Sequence, residues 1–223
     1  FTGTWCGYCP PVKYAIEQAL EIYPNKITVV ATHQNDQFAI SQEEELINGL
    51  GPFGLPEARI NRAIEWVDPY ESNQLDGYLT NNNNLAISID SDIENEILQI
   101  KVRFVSRNAL NNHKLVVYLL EDGLIADQSN YLNFDETSYF YNLGNPIVNY
   151  EHNDVLRYTF TNVLGDQLGN IEPYDDINNF YNIDLSDNNF QSENLSIVAF
   201  ITDSENLTVN SQYASVGEFQ DFN

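Results

Sequence analysis

Between residues 10 and 23, apolar Val12, Ala15, Ile16, Ala19 and Leu20 recur at three- and four-residue spacing. That period places them on one face of an amphipathic helix. Pro10 and Pro11 open it, where a missing N–H costs nothing, and Pro24-Asn25 end it. The β-branched run Ile27-Thr28-Val29-Val30-Ala31 then predicts a short buried strand. A second helix is predicted over residues 43–50, with Ser41 and Glu44 at capping-box spacing and Gly49 or Gly51 closing the pattern. "GPFGLPEARINR" reads as turn residues followed by a short strand, and residues 63–79 as partly helical.

The pattern changes at Asn81-Asn82-Asn83-Asn84, which favours turn or loop and offers nothing to a core. A linker is expected there, dividing a domain 1–82 from a domain 83–223. Beyond it the helical period is absent. Strands are predicted at 85–90, 97–105, 115–120, 124–128, 155–163, 180–185, 195–202 and 208–216, separated by Asn, Asp and Gly turns. In one of them Ile100, Val102 and Phe104 alternate with Gln99, Lys101 and Arg103, as a strand with one wet face should. The fold class expected is α+β in two domains: an α/β first domain and an antiparallel β-sandwich with Ig-like architecture. The second domain has neither Cys nor Trp, so the disulfide and Trp pin of antibody domains are missing.

Charge narrows the partners. Nine Lys+Arg stand against 33 Asp+Glu, a formal charge of −24, which repels a phosphate backbone and an anionic bilayer alike. No nucleic-acid partner is expected. After Lys114 the one basic residue is Arg157, among 18 acidic ones. No run approaches the ~20 apolar residues of a membrane-spanning helix. The chain opens on "FTGTWC" without Met, and export, with an upstream signal or lipid-anchor segment, is expected.

Both cysteines lie in "TGTWCGYCPP", two residues apart at the start of the first predicted helix. A cysteine at a helix N-terminus has its thiolate stabilised by free N–H groups and the helix dipole, which suits thiol–disulfide exchange. Cys6 would be the nucleophile and Cys9 the resolving thiol. A structural zinc site needs four ligands, and His33, His113 and His152 show no ligand spacing. No metal and no cofactor are expected. A single structural disulfide has the same sequence signature.

Several other residues carry two readings. His33 stands at the carboxyl end of the predicted 27–31 strand, a usual place for site residues, or is incidental. Arg157 is an ion-pair partner or a ligand anchor. "DSDIENE" (90–96) and "DLSDNN" (184–189) offer oxygen ligands but not the EF-hand spacing, so solvated turns are favoured. Asn194-Leu195-Ser196 and Asn206-Leu207-Thr208 are sequons of a kind that an Asn-rich chain produces by chance.

Gly54-Leu55-Pro56 falls 47 residues after Cys9. Trp5-Cys6-x-x-Cys9-Pro10 together with Pro56 resembles the thioredoxin superfamily, and Gly7-Tyr8 is similar to the dipeptide of periplasmic disulfide isomerases. The resemblance implies a cis-proline at Pro56, and a substrate surface made by Trp5, Gly7, Tyr8, Leu55 and Pro56. An ordinary trans turn proline is the alternative. "FTGTWCGYCP", "GLPEARINR", "VVYLLEDGLIADQ" and "YEHNDVLRYTF", in that order, resemble the Omp28-related outer-membrane protein family over most of the chain. This resemblance implies a thioredoxin-like region joined to an Ig-like sandwich, an exported protein, periplasmic or outer-membrane associated, and a poorly defined molecular role. Two features depart from the thioredoxin pattern: the strand leading into the CxxC loop and the buried acid of that fold would both lie upstream of Phe1.

Two functions follow. One is an extracytoplasmic thiol–disulfide oxidoreductase acting on protein thiols or disulfides; the other is a surface module that binds an envelope protein and keeps the CxxC pair as a structural or vestigial disulfide. Oligomeric state is not legible.

Overall fold

A computed structural model describes the chain apart from residues 52–53, 80–83 and 187–188. Among the described residues there are two α-helices, α1 (Pro10–Ile22) and α2 (Glu43–Leu50). The strands are β1 (Ala58–Ile60), β2 (Ile64–Trp66), β3 (Leu85–Glu94), β4 (Ile97–Ser106), β5 (Lys114–Glu121), β6 (Leu124–Gln128), β7 (Ile147–His152), β8 (Val155–Thr159), β9 (Asp166–Gln167), β10 (Asp176–Asp184), β11 (Leu195–Thr202) and β12 (Thr208–Ser215). The chain forms two compact units. The first contains Phe1–Ile60, Ile64–Leu79 and Asp122–Leu156; the second contains Asn61–Ala63, Thr80–Glu121 and Arg157–Asn223. The expected boundary between 82 and 83 lies outside the described residues. The return of Asp122–Leu156 to the first unit has no signature in the hydrophobic pattern.

In the first unit α1 follows its prediction closely. Pro10 stands at its first position, and Pro10, Val12 and Ala19 are buried. Ala19 packs with Trp66 and Leu75 in a small core that Ala15, Ile16, Ile27, Tyr70 and Leu79 close around. α2 is also where the pattern placed it, but the capping box does not form. Gln42, at φ −92° and ψ 10°, precedes the helix with no side-chain cap, and the Ser41 hydroxyl donates instead to Gln42 Oε1 at 2.8 Å. A capping residue normally sits in the extended region; the near-helical turn at Gln42 leaves Ser41 one position too early. Gly51 ends α2 in the left-handed region, φ 66°, with its N–H on the Ile47 carbonyl at 2.7 Å, a conformation glycine adopts without steric cost.

Two other expectations fail here. Residues 27–31 form no named strand. Their neighbourhood makes isolated parallel bridges, Thr2 with His33 and Ala31 with Val155, because each partner segment offers only one or two residues in register. Residues 63–79 are not helical but hold β2 and a short 3-10 turn, Ser72–Leu75. Pro69 has no N–H to donate and Tyr70 lies at φ 59°, neither of which a helix interior accommodates.

The second unit is built from two antiparallel sheets, ordered β10-β4-β3 and β12-β11-β5-β8, with β9 also pairing β5. β3 and β4 turn through Asn95 and Glu96, both at positive φ, the two-residue turn whose twist matches a hairpin. The acidic "DSDIENE" stretch is this hairpin. Register sets the faces: Ile87 stands opposite Phe104, and Ile89 opposite Val102. All four are fully buried. They meet Leu115, Val117 and Leu119 of β5 and Ile197, Ala199 and Ile201 of β11 in one hydrophobic core. At about 25 cal/mol per Å² of apolar surface, this continuous core is the main stabilising element of the unit. Arg157 takes the ion-pair role: Nη1 lies 2.5 Å from Oε2 of the fully buried Glu121. Glu121 Oε1 accepts the Gln191 N–H at 2.8 Å, so the buried carboxylate is satisfied on both oxygens.

The fold class is therefore not α+β with a thioredoxin-like domain followed by an Ig-like sandwich. Among the described residues regular structure is mostly strand, every multi-residue ladder is antiparallel, and α-helix is confined to α1 and α2. The βαβ pattern read at residues 10–31 fails because the segment after α1 makes only isolated parallel bridges and no ladder.

Candidate functional site

Cys6 and Cys9 are joined in a disulfide, their Cα atoms 5.4 Å apart. Both are buried, at 5% and 4% relative exposure. The loop turns on itself: Cys6 N–H donates to the Gly3 carbonyl at 3.0 Å, and Cys9 N–H to the Cys6 carbonyl at 3.1 Å. Cys9 is the N-cap of α1 and already has helical backbone angles, φ −77° and ψ −31°. The positive end of the helix dipole therefore points into the loop.

Residues 128–131 lie over this loop. Gln128 Nε2 donates to the carbonyls of Cys6 at 2.9 Å and Gly3 at 3.3 Å. Ser129 N–H donates to Thr4 O at 2.8 Å, and Tyr131 N–H to Gly7 O at 3.0 Å. The Tyr131 ring rests so closely on Gly7 that a Cβ there would come within 2.3 Å of it. Any side chain here would force the Tyr131 ring to move. Tyr8 meets Tyr131 edge to face, centroids 5.3 Å apart. Trp5 Nε1 donates to Gln34 O at 2.7 Å. Trp5 and Tyr8 keep about half of their surface exposed. The Leu55–Pro56 bond is cis, and both residues are half-buried. Glu57 N–H donates to Phe1 O at 3.3 Å, which lays the Pro56 turn beside the segment entering the disulfide loop.

Next to the loop is a buried polar cluster whose two histidines, His33 and His152, stand far apart in the sequence. His33 is neither exposed nor at a strand end; it is 2% exposed, with Nδ1 2.7 Å from Asp36 Oδ2. Asp36 also accepts the Thr4 and Phe38 N–H groups at 2.8 and 2.9 Å. Burial pushes the Asp36 carboxyl up, but these bonds outweigh it and hold it below its ordinary value. His33, Phe38 and His152 rings lie with centroids 5.2 Å apart in each pair. Burial first, then His33 and Lys13, pull the His152 pKa down to about 4, so its ring is neutral at pH 7. Asp36 and Tyr131 lie in no motif, and Gln128 and His152 lie in family-like stretches that gave them no role; the last three reach the site because Asp122–Leu156 belongs to the first unit.

Chemically, the arrangement is a closed disulfide under a backbone-bonded cover. Among the described residues no group of three or more His, Cys, Asp or Glu could hold a metal ion. No helix there is long and apolar enough to cross a membrane, which says nothing of crossing by strands.

Comparison with known proteins adds family and fold. The model of the family described as outer membrane protein Omp28 matches residues 43–220. Among solved structures, HBP35 of Porphyromonas gingivalis superposes with a TM-score of 0.76 over 98% of this chain and 74% of that one, at 16% identity. That likeness is one of fold, and it agrees with the β-rich architecture. No curated protein sequence matches.

Proposed function

We propose that this chain, which belongs to the Omp28 outer membrane protein family, is a non-catalytic binding module of the cell envelope whose Cys6–Cys9 disulfide is a structural clip. The observation that carries the reading is the cover. Disulfide exchange needs a thiolate to approach a sulfur directly, yet both cysteines are buried. The loop carbonyls of Thr4, Cys6 and Gly7 already accept hydrogen bonds from residues 128–131. A closed disulfide suits the oxidising exterior of the cell. The partner would be an envelope component met through the exposed aromatic surface of the first unit, where Tyr8, Tyr131, Phe134 and Tyr139 stand out; such surface commonly marks an interaction site.

Catalysis of exchange is the second reading, favoured by the position of Cys9 at the N-cap of a 13-residue helix, where a thiolate is stabilised once the bond opens. Insulin reduction in dithiothreitol separates the two. The expected result is precipitation at the rate of dithiothreitol by itself. Acceleration that disappears in Cys6→Ser would overturn the clip reading.

A further inference from the structure

We infer that the first unit carries a binding site for neutral glycans, in a groove formed by α1, residues 69–72 and residues 138–140. The inference rests on the binding-module reading and names its ligand class. The groove encloses about 360 Å³, within the range of small-ligand sites, ~300–1,000 Å³. Its aromatic element is rigid. Tyr14 of α1 and Tyr139 stack with centroids 4.6 Å apart and planes 18° from parallel. The buried Phe140 meets both edge-on, at 6.4 and 5.3 Å. This packing fixes the plane of the pair and leaves Tyr139 68% exposed. A flat aromatic face held in place before the ligand arrives loses little rotamer entropy on binding. It complements the C–H face of a pyranose ring, which has no charge and buries its apolar side by stacking.

The rest of the lining selects among ligands. It contains no Lys or Arg, and its one charged member is Glu71. Phosphate, sulfate or carboxylate ligands would meet a carboxylate and the field of a −24 chain. A lipid tail would find tyrosines, Gln18, Ser72 and Ser138 where it needs aliphatic walls. Gln18 both donates and accepts, the serine hydroxyls do the same, and Glu71 accepts. Sugar hydroxyls, which also donate and accept, match that set. Tyr70 adds a second wall. It lies at φ 59°, a costly conformation for a bulky side chain, and is held by its N–H on Val67 O at 2.9 Å and by edge-on packing against Trp66 at 5.7 Å. A proline-rich peptide also uses aromatic grooves, but it needs a series of ridges between parallel rings, whereas here one stacked pair offers one face ringed by polar groups.

The test is an array of neutral oligosaccharides of glucose, mannose and N-acetylglucosamine, with heparin oligosaccharides and decaproline as further arms, followed by calorimetric titration of the best neutral ligand. Saturable binding to a neutral oligosaccharide is expected. Tyr139→Ala should weaken it at least tenfold and Tyr139→Trp should retain it, while melting temperatures stay with the parent. Should Tyr139→Ala melt early, Glu71→Ala provides the same comparison. No neutral ligand bound at millimolar concentration, equal affinity in Tyr139→Ala and its parent, or preference for heparin or decaproline would overturn the inference. Insulin reduction separates its failure from that of the underlying reading: a chain inert to insulin that ignores glycans loses the glycan site and keeps the clip.

Discussion

The two units of this chain are held together by different physics. The second has two antiparallel sheets around one apolar core, with β5 buried from Leu115 onward and β11 buried along its whole length. The first has two helices, strands of three to six residues and single bridges, and its integrity rests on a disulfide, on side chains such as Gln128 and Asp36 that satisfy backbone groups, and on aromatic contacts. A unit stabilised mainly by apolar burial responds to changes of volume. One stabilised by cross-links and buried polar bonds responds also to redox state and pH.

The largest effect should come from the core of the second unit. Phe104→Ala, at a site with no exposure, should cost roughly 3–5 kcal/mol in urea unfolding; a loss below 1 kcal/mol would show that the two-sheet core is not packed as described. In the first unit, Cys6→Ser with Cys9→Ser frees a very short loop, for which chain entropy predicts a loss of about 2 kcal/mol. Thermal melts with and without dithiothreitol measure it. If the parent lost nothing on reduction, the clip would be dispensable and the contrast between the units would weaken.

Gly7→Ala comes next, at about 1 kcal/mol. Its Cβ would meet the Tyr131 ring, but that ring is more than half exposed and has room to swing away. The double variant with Tyr131→Ala should recover most of the loss, and both variants should open the disulfide to dithiothreitol faster than the parent. Equal reduction rates would mean that Tyr131 is not the cover.

The pH response is the finest discriminator. His152 has a folded pKa of about 4, below its ordinary 6.5, so the folded state binds fewer protons than the unfolded one between those values. Its contribution is intact above pH 6.5 and is lost as pH falls toward 4. Asp154 acts in the opposite sense. Burial, helped by Asp122, raises its pKa from 3.8 to about 6, and stability is lost as pH rises through that window. His152→Phe should flatten the acid limb and Asp154→Asn the other, read from melting temperatures between pH 4 and 7. If neither variant changed the profile, His152 and Asp154 would not be setting the acid response of the first unit.

Much of this was legible in residue order. The spacing of Val12, Ala15, Ile16 and Ala19 specifies α1 because a 3.6-residue period admits one buried face, and Ile100, Val102 and Phe104 specify the inner face of β4 because a pleated strand alternates. The cysteine pair and the proline at 56 were equally plain. The strand expected at 27–31 was not realised, because β-branched residues state a preference for extension while a sheet needs a partner of matching length. Covalent chemistry and local periodicity are thus properties of the sequence by itself: which residues alternate, where helices begin, and which two cysteines are close enough to join. Whether that disulfide is open or covered was decided by tertiary structure, since Gln128 and Tyr131 come from more than a hundred residues away and bond to loop carbonyls that look the same in every residue.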